Sequence, residues 1–197
     1  MDISIVDICP TPPNGNQSDA FKNTLDLAQR AEKLGFKRYW LAEHHGSAAT
    51  ASQAPEIMIA HVAAHTSRIR VGSGAVLLNH YSALKVGEQF RTLHALYPGR
   101  IDLGIGRAFA GPVADIALMR HRDGKRVDDY GEQVFELVSW VNNSMPADHP
   151  FATLQLAPDV PGAPETLLLG SSQSSPHLAA QLGMPYVFAG FISPDGA

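Results

Sequence analysis

The run Tyr39-Trp40-Leu41-Ala42-Glu43-His44-His45 holds the densest chemistry in the chain: an apolar stretch ends in one carboxylate and two adjacent imidazoles, and Gly46 follows. Neutral histidine titrates near working pH, so an imidazole beside a carboxylate can move a proton in general acid–base catalysis. The bland alternative is a capped strand end with solvated imidazoles. His61 and His65 share the i,i+4 spacing of one helix face, but no zincin-type Glu-His pairing accompanies them. They are expected to line a packed helix rather than to hold a metal. Two glycines interrupt the apolar run Val71-Gly72-Ser73-Gly74-Ala75, which marks a bulge, the close approach of something flat, or packing against a helix. Gly104-Ile105-Gly106-Arg107 lacks the third glycine of a dinucleotide fingerprint, yet an arginine directly after a strand suits a phosphate. Gly170-Ser171-Ser172-Gln173-Ser174-Ser175 leads into a helix with Ser175 as its expected cap. Hydroxyls and free N–H groups there form an anion site, unless the segment is a plain N-cap. One cationic group and one helix N-terminus together point to a phosphorylated cofactor.

The elements that must position these groups alternate along the chain. Ile3 to Ile8 reads as a strand, and Ser18 is expected to cap a helix carrying Phe21, Leu25, Ala28, Ala31 and Leu34, with Gly35 at its end. Phe36 to Ala42 is the second strand, with Arg38 to Leu41 buried and Glu43, His44 and His45 at its carboxyl end. Ser52 as N-cap and Pro55 in the first turn open a nearly all-apolar helix to about His65. Ile69 to Leu78 is a third strand. Ser82 starts a helix carrying Val86, Phe90 and Leu93, and Arg100 to Ile105 is the fourth strand. Residues 107 to 126 read as a loop over the rim. Val127, Tyr130, Val134, Leu137 and Val141 form a helical stripe. A proline-rich stretch then holds a short strand at Phe151 to Leu156. Thr166 to Leu169 is the fifth strand, the helix opened by Ser175 and Pro176 follows, and Tyr186 to Ala189 is the sixth. Strand, helix, strand, helix in this order predicts a parallel α/β fold, whose catalytic groups sit at the carboxyl ends of the strands. The pattern alone does not separate a barrel from an open sheet.

Composition narrows the function classes. With 197 residues, 45% hydrophobic and 17% charged, the chain can bury one sizeable core and is not disordered overall. A net charge of -4 with no Lys/Arg cluster gives no support to a nucleic-acid or anionic-membrane partner. The single cysteine, Cys9, rules out an internal disulfide framework, and a cytoplasmic location is the expectation. The N-terminus lacks the charged and apolar regions of a signal peptide, and no apolar run approaches the ~20 residues of a membrane span. A single domain over residues 1–197 is expected, since no linker divides the chain.

Taken together, these motifs resemble the bacterial luciferase-like flavin-dependent monooxygenases. The likeness runs from Ile3 to about Phe191. It includes Tyr39 to His45, the Val71 to Val76 strand, Glu88-Gln89-Phe90-Arg91-Thr92-Leu93, Pro98 to Arg107 and Leu169-Gly170-Ser171-Ser172. The resemblance implies a (β/α)8 TIM barrel that uses reduced FMN to activate O2, with the deazaflavin F420 as the cofactor of some relatives. It implies His44 as the catalytic histidine, supported by His45 and Glu43. Gly74-Ala75 falls where the family has a non-prolyl cis peptide under the flavin ring. Arg107 matches the arginine that grips the FMN phosphate, and Ser172 and Ser175 match phosphate-binding hydroxyls.

Three departures qualify the likeness. Gly106 stands where light-emitting members carry a reactive cysteine, so luciferase activity itself is not implied. Ser171 replaces an acidic residue. A complete barrel usually needs about 250 residues, and only six strands are legible here, so the barrel is expected to be an N-terminal portion truncated after about six strands. Its first and sixth strands would be unpaired edges, covered in a homodimer or completed by further chain. The expected function is oxygenation of a hydrophobic small molecule such as an aldehyde. A separate reductase would supply the reduced flavin, because no nicotinamide fingerprint is present. A non-catalytic flavin-binding protein is the alternative. A metal-dependent barrel hydrolase using His44, His45 and His61 is the third reading.

Overall fold

The computed structural model describes residues 1–118 and 128–193. The elements are β1 (Ser4–Asp7), α1 (Gln17–Lys33), β2 (Arg38–Leu41), α2 (Pro55–Ala64), β3 (Arg70–Ser73), β4 (Val76–Leu77), α3 (Ala83–Leu96) and β5 (Ile101–Gly106). They continue with α4 (Pro112–Leu118), α5 (Tyr130–Val141), β6 (Glu165–Gly170), α6 (Ser174–Gln181) and β7 (Tyr186–Phe188). A 3-10 turn at Leu78–His80 joins β4 to α3. All strand pairs are parallel, in the order β1-β2-β3-β5-β6-β7, with β4 also pairing with β5. Since β3 and β4 are two halves of one strand position, the sheet has the six positions read from the sequence. The result is an open half of a (β/α)8 barrel with β1 and β7 at its edges.

The two faces of this sheet differ chemically. Tyr39, Leu41, Val71, Leu103, Ile105 and Leu168 alternate outward and are buried against Ala28, Ile59, Val62, Phe90, Val134 and Leu137 of the helices. Each such aliphatic or aromatic side chain contributes roughly 1.5–3 kcal/mol by leaving water. The inner face is polar at its base. There Asp102 takes hydrogen bonds from Arg38 Nη1 at 2.6 Å, Arg70 Nε at 2.8 Å and Trp40 Nε1 at 2.8 Å, and Arg38 also reaches Glu165 at 2.9 Å. Gly72 and Gly104 are required here, because a Cβ at either would collide with the backbone oxygen of Asp102 or Ser73. Toward the open edge the inner face is bare: Val6 and Ile8 are each 46% exposed.

Several expectations are corrected by packing. The third strand is not continuous from Ile69 to Leu78, because the cis peptide Gly74-Ala75 separates β3 from β4. The loop expected over 107 to 126 contains α4, opened by Pro112 with Asp115 in its first turn. Residues 119–127 of that loop, including Val127 of the helical stripe, lie outside the described residues. Phe151 to Leu156 is not a strand. Its backbone folds locally through Ala152 N–H to His149 O and Leu154 N–H to Phe151 O, and Phe151 stacks on Trp140.

Helix caps differ as well. Asn16, not Ser18, caps α1, in a reciprocal box with Asp19. Ser52 is no cap, since its hydroxyl donates to Ala42 O and ties the rim loop to β2. Ser175 lies inside the first turn of α6, which starts after Gln173. No helix among the described residues is long and apolar enough to cross a membrane.

Candidate active site

The carboxyl ends of β2, β4, β5 and β6 place four short segments along one rim. β2 delivers Glu43, whose side chain is 1% exposed and whose carboxylate gathers three polar partners. Leu77 N–H reaches Oε2 at 3.0 Å, while Tyr81 hydroxyl at 2.7 Å and His45 Nε2 at 2.6 Å both reach Oε1. Tyr81 hydroxyl also lies 3.2 Å from His45 Nε2, closing a triangle. Burial, and then the Glu43 charge, push the Tyr81 hydroxyl well above the usual phenol range, so it is a donor at any working pH. Glu56, at the start of α2, faces the same group. Burial and the Glu43 charge raise its carboxyl pKa, and His45 opposes them.

His44 is arranged differently. Its backbone N–H is fixed to Ser52 O at 2.9 Å, yet the residue is exposed on the rim. The sequence-predicted trio therefore splits into a locked pair, Glu43 and His45, and a solvent-facing imidazole, His44.

Gly74 and Ala75 lie beside this group with the peptide between them cis. A Cβ on Gly74 would sit 3.1 Å from Trp40 Cβ, and one on Gly106 would sit 3.0 Å from Ala75 Cβ. Gly74 thus packs its backbone on Trp40 of β2, and Gly106 lets β5 approach Ala75, so the three small residues form a low floor across β2, β4 and β5. Arg107 follows β5 with its side chain 55% exposed. It contacts Asp128 at 3.2 Å and lies over the Tyr130 ring at 5.6 Å. In the loop after β6, Ser172 hydroxyl lies 2.9 Å from Ser174 Oγ and 3.3 Å from Ser175 Oγ at the start of α6. Arginine, clustered hydroxyls and a helix N-terminus make a donor set for a phosphate monoester.

Sequence reasoning missed Tyr81, Glu56 and a second polar cluster. His80 Nε2 lies 3.5 Å from Asp115 Oδ1, and Asn79 Nδ2 donates to Ala108 O at 3.3 Å, tying the 3-10 turn to α4 and the segment before it. The signal was present: Asn79-His80-Tyr81 follows the apolar run Val76-Leu77-Leu78 just as Glu43-His44-His45 follows β2. His61 and His65, expected to line a packed helix, are exposed, with ring centroids 4.6 Å apart. Among the described residues no three His, Cys, Asp or Glu side chains are grouped to hold a metal ion.

Comparison with known proteins identifies the family of the chain. The family model for luciferase-like monooxygenases matches residues 1–197. A luciferase-like monooxygenase of Escherichia coli is 45% identical over 199 residues, covering 98% of this chain and 56% of that protein. The N-acetyl-S-alkylcysteine monooxygenase of Bacillus subtilis is 41% identical over 193 residues, covering 98% of this chain and 58% of the relative. The crystal structure of apo-MsnO8 superposes with a TM-score of 0.87 at 45% identity, over 98% of this chain and 56% of that one. The chain thus spans little more than half the length of these proteins, and it belongs to the luciferase-like monooxygenase family.

Proposed function

We propose that this chain forms the flavin-binding half of a luciferase-like monooxygenase that uses reduced FMN and O2 on a hydrophobic small molecule such as an aldehyde. The supporting observation is the convergence on one rim of the Glu43–His45 pair, the small-residue floor at Gly74, Ala75 and Gly106, and the phosphate-type donors of Arg107 and the α6 serines. The residues fit the cofactor. Gly74, Ala75 and Gly106 carry little or no side chain, so a flat ring would lie against backbone there; Arg107 would exchange Asp128 for the phosphate, and Ser172 and Ser175 would donate to the same group. When bound, reduced FMN supplies the electrons that activate O2, with one oxygen atom entering the substrate and the other leaving as water. His44, free of the buried network, moves the proton at the reacting oxygen. A separate reductase supplies the reduced flavin.

The test is an anaerobic titration of the full chain with reduced FMN, followed by air and a long-chain aldehyde. Saturable binding with acid formed on aeration supports the oxygenase, and His44→Ala should then lower turnover by about 10²–10⁴-fold with FMN affinity retained. Tighter binding of F420 than of FMN would reassign the cofactor, and no binding of either would overturn the reading. The alternative reading is a flavin-holding protein without turnover. Saturable binding with no product would select it.

A further inference from the structure

We propose that His61 and His65 form a surface clamp for a divalent transition metal of the imidazole-binding class, such as Ni2+, Cu2+ or Zn2+, at the carboxyl end of α2. The clamp lies at the end of α2 away from Glu56, the residue that faces the rim pair, and it does not depend on the flavin reading.

The helix presents the two rings for a simple reason. α2 buries Pro55, Met58, Ile59, Val62 and Ala63, a stripe of one helix face. The opposite face is thereby turned to solvent, and His61 in the last turn and His65 at the C-cap are both exposed there. Residues four apart are neighbours on a helix surface. The backbone that carries them is held in place. Arg100 Nη1 donates to Ala63 O at 3.2 Å and to Thr66 O at 2.9 Å, and the Thr66 hydroxyl donates to Val62 O at 2.8 Å. The clamp is therefore preorganised, so little ordering is left for the ligand to impose.

The rings themselves have the separation of a chelating pair. Their centroids are 4.6 Å apart and their planes are tilted by 56°. Two imidazoles bound through nitrogen to one metal at ~2.1 Å, with an angle of about 90–110° at the metal, have centroids roughly 4.6–5.3 Å apart. His65 adds a second feature. Its Nδ1 lies 2.8 Å from His61 O. A carbonyl oxygen only accepts, so Nδ1 is the donor, and Nε2 is the ring nitrogen left to meet a metal. Fixing the far nitrogen of a metal-bound imidazole on a backbone carbonyl is how such ligands are oriented. Among the described residues no third His, Cys, Asp or Glu joins the pair, so water fills the remaining positions. Two imidazoles without a carboxylate select transition metals over Mg2+ and Ca2+, which want oxygen ligands.

Calorimetric titration of the full, tag-free chain with Ni2+ at about pH 8 tests the clamp, since metal must compete with protons for the rings. The unaltered chain should bind about one equivalent saturably. His61→Asn and His65→Asn should each weaken that binding by about 100-fold or more, because each leaves one imidazole where two acted together. Both side chains are exposed, so these variants keep the core intact. His149→Asn, which removes a histidine outside α2, should leave the affinity unchanged. Paramagnetic Ni2+ at low occupancy should also broaden the ring signals of His61 and His65 before those of other histidines. Absence of saturable binding would overturn the proposal and reduce the pair to a ring contact. Binding that either α2 variant weakens by less than about tenfold would overturn it as well, since the two rings would then not act as one site.

Discussion

At the scale of single residues, charge placement decides what each group can do. Arg107 sits half in solvent against Asp128, a pair that contributes little to stability in high dielectric. Under the proposed function its value lies in a phosphate contact. Arg107→Ala should leave the thermal midpoint nearly unchanged and weaken reduced FMN binding by about 10–100-fold, the loss of one charge-assisted contact of about 1.5–3 kcal/mol. Equilibrium titration checks it.

Glu32 is the opposite case. Its carboxylate accepts N–H groups of Ser67, Arg68 and Ile69 at 2.8, 2.6 and 3.0 Å. Burial raises its pKa, but these donors outweigh it and hold the group down at about 2. A carboxyl lowered on folding contributes stability above its unfolded pKa of about 4.3 and loses it as pH falls toward 2. Glu32→Gln should therefore cost about 1 kcal/mol at pH 7, after allowing for solvent screening, and the difference should vanish as the pH is lowered from about 4.5 to about 2. Urea melts across that range measure it. Glu43, His44, His45 and Arg107 were legible as candidates because polar residues directly after apolar runs stand out. The triangle with Tyr81 was not, because it joins residues 36 positions apart.

Elements show the same division. The six strand positions follow from short apolar runs separated by helical periods, and the α3 cap at Ser82 could be read from the chain. The break between β3 and β4 was signalled by the two glycines and by the cis peptide that the resemblance implied at Gly74-Ala75, whereas the pairing of β4 with β5 emerges only in the structure. Asp102 carries a similar lesson. It sits in the second position of a strand, fully buried, and is compatible with β5 only because Arg70 of β3 and Arg38 and Trp40 of β2 converge on it. Asp102→Asn keeps the shape but leaves Arg38 and Arg70 with only the part-exposed Glu165 as counter-charge. The expected cost is about 1.5–3 kcal/mol in chemical denaturation, as for weakening hydrogen bonds to a charged group.

For the whole molecule the consequential feature is asymmetry between the two faces of the sheet. The outer face is sealed by helices, whereas the inner face at β1 is open. Leu41→Ala on the outer face should cost about 2–5 kcal/mol. Val6→Thr on the inner face should change stability by no more than about 0.5 kcal/mol, as for an exposed site. Denaturant midpoints of the two variants separate a sheet open at β1 from one in which that face is covered. A covered inner face would make Val6→Thr cost well over 1 kcal/mol.

By itself the sequence determined the parallel α/β class, the number of strand positions, the family, and the candidate groups at the strand ends. All of these are written in local periodicity, in punctuation by glycine and proline, and in short contiguous motifs. The tertiary structure alone decided which of two neighbouring histidines is locked and which is exposed, which serine is a cap and which a tether, and what compensates the charge of Asp102. Each of those depends on donors and acceptors brought together from distant segments, and no local pattern encodes where a hydrogen bond across the fold will end.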